Sequence, residues 1–254
     1  NKIMDIKEKY KKIMYENDLK WLKLDLRFND QLNKKEFTEF TENFEEQKSQ
    51  IGWSGLSYRG IDLKKVRPFT EYGYSNEDEV PYVWTEMSDK CPNLKNELLT
   101  AFPDSKFYRV KVNKLSPGGK ILPHADSRKL GLGLTEHSPY TDPNPFKVKY
   151  ITYALDWPNN VDFYVGKKLL PLKTGDIFMI NFGMLHEVYN LGLQDRISVI
   201  ITADLEDQEW WHELVVRSFQ KYGENQPTKS MPFNQRIGTF YQSLHQRIKA
   251  RISP

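Results

Sequence analysis

Between residues 106 and 205 the sequence breaks into short segments rich in Val, Ile, Tyr, Phe and Thr, each closed by a turn signal. Residues 107–115, 147–157, 161–170, 176–181, 187–191 and 196–205 have the composition of strands. Pro117-Gly118-Gly119, Pro158-Asn159-Asn160, Gly175-Asp176 and Gly192 separate them. Many short strands at this spacing predict a mainly β domain, a sandwich or jelly roll.

The flanks have a different texture. Ile6, Tyr10, Ile13 and Met14 recur at helical spacing, and residues 33–44 and 92–102 also suggest helices, the latter burying Leu94, Leu98 and Leu99. Residues 21–28 alternate like a strand, with Leu22, Leu24, Leu26 and Phe28 on one face. Residues 71–89 carry six acids and no base, the pattern of a solvated acidic loop. Residues 206–222 turn helical again, and residues 227–254 hold five Lys/Arg and no acid. The expected organisation is an N-terminal helical and strand segment, 1–105, packed on a catalytic core, 106–205. A C-terminal helical segment with a basic tail, 206–254, follows.

Composition removes several function classes. Among 254 residues, 37 Lys+Arg face 34 Asp+Glu, a net charge of +3 that is small for a dedicated nucleic-acid binder. The single cysteine, Cys91, forms no intramolecular disulfide and leaves no room for a Cys-based zinc site. Residues 1–15 intersperse charges with apolar residues, so no signal-peptide core is expected. Apolar stretches such as 197–203 are too short to span a bilayer. A reducing compartment, the cytoplasm, is the simplest expectation. Metal chemistry must draw on the five histidines: His124, His137, His186, His212 and His245.

His124, Asp126 and His186 stand out. His124 and Asp126 lie two apart at the end of the strand-like run Gly119-Lys120-Ile121-Leu122-Pro123, so both side chains can converge on one point. His186 opens a later strand, and a jelly roll places strands distant in sequence side by side. Two imidazoles and one carboxylate on one face of a metal leave the opposite positions open, the facial triad suited to Fe(II). The pattern alone arises often by chance, and Arg196 adds weight to it. In the strand that Arg196 begins, Arg196 and Ser198 face one way while Ile197, Val199 and Ile201 face the other. A buried guanidinium needs an anion. A dicarboxylate such as 2-oxoglutarate would supply one, chelating the metal through its 2-oxo acid end and pairing its far carboxylate with Arg196. Ser198 can add a hydroxyl donor. The alternative is a surface arginine opening an edge strand, paired with Asp195.

The run Ser116-Pro117-Gly118-Gly119-Lys120-Ile121-Leu122-Pro123-His124-Ala125-Asp126, within residues 108–126, resembles the aspartyl/asparaginyl β-hydroxylase family. So do Gly175-Asp176-Ile177-Phe178-Met179-Ile180-Asn181, His186-Glu187-Val188-Tyr189-Asn190 and Asp195-Arg196-Ile197-Ser198. These Fe(II)/2-oxoglutarate oxygenases include bacterial cis-proline hydroxylases. The resemblance covers about residues 106–205, and more faintly 53–58. It implies a double-stranded β-helix, a cupin-like jelly roll, with His124, Asp126 and His186 as iron ligands and Arg196 on 2-oxoglutarate. The animal aspartyl β-hydroxylases lack the carboxylate that Asp126 provides, so this chain looks closer to the small-molecule or prolyl hydroxylases. Related halogenases leave that position empty for halide, so Asp126 favours hydroxylation.

By position in the family, Tyr150 and Thr152 share the face that lines the cosubstrate pocket, with ordinary strand packing as the alternative. Asn113 and Asn190 are further candidates for pocket or turn. The stretch 127–146, with Gly131 and Gly133 as hinges, suggests a lid over substrate, or a surface loop. Arg128, Lys129 and His137 lie on it and could meet a substrate carboxylate. His212 and His245 fall outside the strands, and Trp210-Trp211 has the pattern of helix packing.

The function expected is an Fe(II)- and 2-oxoglutarate-dependent dioxygenase, consuming O2 and stimulated by ascorbate. It would hydroxylate an unactivated C–H bond of an amino acid, proline first, or of a peptide side chain. Two other classes remain: a non-catalytic jelly-roll module that binds a metal or ligand, and a partner-binding protein acting through the basic tail.

Overall fold

The structure, a computed structural model, describes residues 5–17, 19–40, 44–46, 50–66, 69–75, 77–125, 148–223 and 232. The chain begins with α1 (Ile6–Lys11), which continues as a π-helical turn, then β1 (Trp21–Lys23) and α2 (Asp30–Thr38). β2 (Glu45–Glu46), β3 (Ile51–Gly60), β4 (Val83–Trp84), α3 (Glu86–Lys90) and α4 (Pro92–Ala101) follow. The central strands are β5 (Lys106–His124), β6 (Val148–Asp156), β7 (Val161–Val165), β8 (Lys168–Leu169), β9 (Ile177–Ile180), β10 (His186–Asn190) and β11 (Arg196–Asp204). α5 (Glu209–Tyr222) completes the described elements.

All strand pairs are antiparallel, and the longest path through the sheet runs β1-β9-β6-β11-β5-β10-β7-β8. β5 makes this one sheet into two layers. Its first half pairs with β11 and most of β3, and its second half pairs with β10 and, at Lys120, with the start of β3. The turn expected at Pro117-Gly118-Gly119 is instead a bend inside this one long strand. Gly118 has φ +73°, a conformation that costs an L side chain about 1–2 kcal/mol. The curled sheet with its flanking helices is the jelly roll expected from the strand pattern.

Strict alternation sorts the side chains. On β11, Ile197, Val199, Ile201 and Ala203 join a core shared with the helices, as do Val110 and Val112 of β5 and Ile151, Tyr153 and Leu155 of β6. The opposite face turns inward between the layers. There Leu115, Ala154 and Phe178 meet Ile121, Phe163, Val165 and Val188 in a second core. α5 covers the outer face with a stripe of Trp211, Leu214, Val215 and Ser218, at i, i+3, i+4 and i+7. α4 starts with Pro92 at its first turn and buries Leu94 and Leu98 completely, while Asn29 caps α2 by accepting from the Leu32 amide at 3.1 Å. Leu99, expected on the buried side of α4, is 46% exposed.

Three other expectations change. Residues 161–170 fold back as the β7–β8 hairpin, because Gly166 and Lys167 both take positive φ (55° and 66°), the pattern of a type I′ turn. The acidic stretch is a packed segment in part: β4 and α3 lie in it, and Met87 and Ser88 are buried. The strand read over 21–28 is paired as β1 only at 21–23, although Leu24, with a backbone bond to Ile177, and Phe28 are also buried. The basic tail, apart from Pro232, lies outside the described residues.

Candidate active site

The inward face encloses a cavity of about 170 Å³ between the two layers. His124 and His186 line it side by side because they are register partners, the last residue of β5 against the first of β10. Their ring centroids are 4.3 Å apart. His124 Nδ1 donates to the Leu122 carbonyl at 2.7 Å and His186 Nδ1 to the Met184 carbonyl at 3.0 Å. A ring held this way keeps its lone pair on Nε2, the tautomer a metal-ligating imidazole requires. Asp126 lies outside the described residues, and among the described residues no group of three potential metal ligands occurs. Two oriented nitrogen donors at the mouth of a cavity therefore fit a divalent ion, with Asp126 two residues beyond His124.

Arg196 sits on the same cavity at the start of β11. β11 lies between β5 and β6, so Arg196 is not on an edge. It is 3% exposed, and its pairing with Asp195 does not occur among the described residues. Its Nη1 donates to Ser198 Oγ, and its Cζ lies 5.2 Å from the Trp157 ring centroid. Nε and Nη2 are buried with no hydrogen-bond partner among the described residues. Burial pushes its pKa down to about 9, which leaves it charged at neutral pH. An unpaired buried guanidinium is costly, on the order of several kcal/mol, so the two nitrogens point to an anionic ligand.

The remaining candidates share this cavity. Ser198 accepts from Arg196 and keeps its own hydroxyl proton to donate. Thr152, 1% exposed, has its Oγ1 buried with no partner among the described residues. Tyr150 lines the wall with its ring edge-on to Phe182 at 5.8 Å. Asn113 also lines the cavity, whereas Asn190 holds a turn by donating to the Leu115 and Gln194 carbonyls. His212 packs on Tyr10 at 4.2 Å and bonds to the Glu206 carbonyl, away from the site, and Trp211 is fully buried in α5 packing. Arg128, Lys129, His137 and His245 lie outside the described residues, as does the lid expected over 127–146.

The family model described as Aspartyl/Asparaginyl beta-hydroxylase matches residues 16–206. The chain belongs to the aspartyl/asparaginyl β-hydroxylase family. Membership makes it a hydroxylase, an oxidoreductase with Fe(II) and 2-oxoglutarate as cofactors. The match extends the resemblance from residue 106 back to residue 16, over β1 and β3, which are hydrogen-bonded into the sheet. A search of curated proteins finds no match.

Among solved structures, the chain is similar to a viral collagen prolyl hydroxylase of Paramecium bursaria Chlorella virus-1 in complex with 2-oxoglutarate. Identity is 12%, covering 73% of this chain and 96% of that one, with a TM-score of 0.43. A Pseudomonas putida prolyl-4-hydroxylase gives 12% identity, 79% and 98% coverage and a TM-score of 0.41. HygX of Streptomyces hygroscopicus, with nickel, 2-oxoglutarate and hygromycin B bound, gives 12%, 73%, 82% and 0.44.

For this β-hydroxylase relative, strand reading from sequence missed part of the cavity wall. Trp53 and Lys111 line it, and Trp157, Phe163 and Phe182 supply its apolar surface. The signal for Lys111 was present: it shares alternation with Asn113 on β5, the face opposite Val110 and Val112. Trp53 reaches the site only because β3 pairs with β5, a non-local contact that periodicity does not reveal.

Proposed function

We propose that the chain hydroxylates an unactivated C–H bond of an amino acid, with proline as the first candidate, using His124, Asp126 and His186 as iron ligands. Iron and 2-oxoglutarate supply the chemistry: O2 is consumed, the 2-oxo acid becomes succinate and carbon dioxide, and a hydroxyl group reaches the substrate carbon. Arg196 binds the far carboxylate of 2-oxoglutarate through its unpartnered Nε and Nη2. Ser198 holds Nη1 in place and donates to the same carboxylate. Thr152 and Tyr150, on the neighbouring strand, are further donors to the cosubstrate. Trp157, Phe163 and Phe182 exclude water from the reacting end, and the carbonyls of Leu122 and Met184 fix both imidazole tautomers. Residues 106–205 form the catalytic core, and Trp53 of β3 completes the cavity wall. Among the described residues no helix is long and apolar enough to cross a membrane, and buried Cys91 suits a reducing, cytoplasmic setting.

The observation that carries this reading is the buried, unpartnered guanidinium face of Arg196 in the cavity that His124 and His186 also line. The test is turnover with Fe(II), ascorbate and 2-oxoglutarate, following succinate with and without L-proline and other amino acids. Succinate formation that rises with one amino acid and disappears in His124→Ala is the expected result. A folded protein that neither binds nor consumes 2-oxoglutarate removes the assignment.

A further inference from the structure

Besides Arg196, two further cations line the cavity: Arg109, whose Nη2 donates to the Val66 carbonyl at 2.9 Å, and Lys111. Lys111 is only 9% exposed, and its Nζ lies 4.1 Å from the Trp53 ring centroid. Its stem crosses β3 at Gly55: a Cβ there would fall 2.9 Å from Lys111 Cε and 3.1 Å from Asn113 Oδ1. A glycine at this register position opens the path by which the ammonium reaches the Trp53 flank.

Two more polar atoms converge on that flank. Asn113, 5% exposed, has its Oδ1 buried with no partner among the described residues, and Trp53 Nε1 is in the same condition. Trp53, Lys111 and Asn113 all line the cavity. The three therefore present a cation, an N–H donor and a carbonyl acceptor.

Arg196 is on the other flank. Trp53 and Arg196 are both register partners of Leu115, on opposite sides of β5. Strands two apart are separated by about 10 Å. Arg196 lies over Trp157 and Lys111 over Trp53. A five-carbon dicarboxylate, with C–C bonds of about 1.5 Å, spans roughly 5 Å between its terminal carbons. One such molecule held by iron and Arg196 leaves the Lys111 flank to a different ligand.

We infer that Trp53, Lys111 and Asn113 form a subsite for the main-chain groups of a free α-amino-acid substrate. The Lys111 ammonium and the Trp53 indole N–H bind its carboxylate, and Asn113 Oδ1 accepts from its amino group. This rests on the hydroxylase reading above and gives it a substrate class: a free amino acid whose own carboxylate is the recognition handle.

The test is calorimetric binding under anaerobic conditions, so that nothing turns over, with Fe(II) and 2-oxoglutarate present. The probes are the common L-amino acids, L-proline first, and the carboxamide of each. In the unaltered protein at least one amino acid binds about tenfold or more tightly than its carboxamide, the scale of one hydrogen bond to a charged group. Lys111→Met brings the acid down to the affinity of the amide, while 2-oxoglutarate affinity stays within about threefold. Equal binding of acid and amide, or no binding by any amino acid, overturns the subsite without any variant being needed. Loss of 2-oxoglutarate binding in Lys111→Met, as large as the loss of amino acid, assigns Lys111 to the cosubstrate and also overturns it. Failure of the unaltered protein to bind 2-oxoglutarate is a separate outcome, and it removes the hydroxylase reading on which the subsite rests.

Discussion

Removing a buried charge that has no partner relieves a protein, so substitutions in this cavity separate ligand binding from stability. Arg196→Met keeps the stem and discards the guanidinium. Thermal unfolding of the ligand-free variant is expected at or above the wild-type temperature, since apolar replacement of buried ions is neutral or stabilising by up to about 4 kcal/mol. Thr152→Val follows the same logic on a smaller scale, because Thr152 Oγ1 is buried with no partner among the described residues. It leaves stability unchanged or slightly raised and weakens 2-oxoglutarate by about tenfold, the scale of one hydrogen bond to a charged group, read by calorimetry. Arg196 was legible in the sequence because strand alternation sets it against Ile197 and Val199. Whether it was buried was not legible, since that depends on β11 lying between β5 and β6.

At the scale of elements, the bend in β5 brings His124 to His186, and two neighbouring glycines serve it differently. A Cβ on Gly118 meets nothing within 4 Å, so Gly118→Ala bears only the cost of its positive φ, about 1–2 kcal/mol, and leaves metal affinity intact. A Cβ on Gly119 falls 2.7 Å from the Ser116 carbonyl and 2.8 Å from Leu115 Cδ1. Gly119→Ala must shift the bend, and Fe(II) binding should weaken together with stability. Comparing metal affinity and unfolding temperature in the two variants checks this. The Pro-Gly-Gly signal was plain in the sequence, but a turn and a mid-strand bend share the same residues. Pairing decides between them, with β11 on one half of β5, β10 on the other and β3 reaching across the bend to Lys120. The β7–β8 hairpin was missed for a related reason: Gly166-Lys167 is a weaker turn signal than Asn-Gly, and strand-forming residues flank it on both sides.

Across the whole molecule, one buried ion pair ties β6 to the segment before α5 and to α1. Lys149 Nζ meets Glu206 Oε2 at 2.7 Å, with side chains 4% and 11% exposed, and Tyr10 of α1 donates to the same oxygen at 2.5 Å. Desolvation lowers the Lys149 pKa, opposed by Glu206. Lys149→Met strands the carboxylate and should cost about 3–5 kcal/mol, whereas Lys149→Met with Glu206→Gln recovers most of the loss; chemical denaturation of both variants decides. The fold class was legible from strand texture alone, and local spacing singled out His124, His186 and Arg196, which the fold brings to one cavity. The N-terminal contribution was not, because β1 and β3 enter the sheet through partners more than fifty residues away. The central claim is that Arg196 and the histidine-bound metal together hold 2-oxoglutarate, and calorimetry tests it most directly. Anaerobic titration of 2-oxoglutarate into the Fe(II)-loaded protein should show binding that Arg196→Met weakens about thirtyfold or more, with iron affinity unchanged. Equal 2-oxoglutarate affinity in the two proteins would contradict the account.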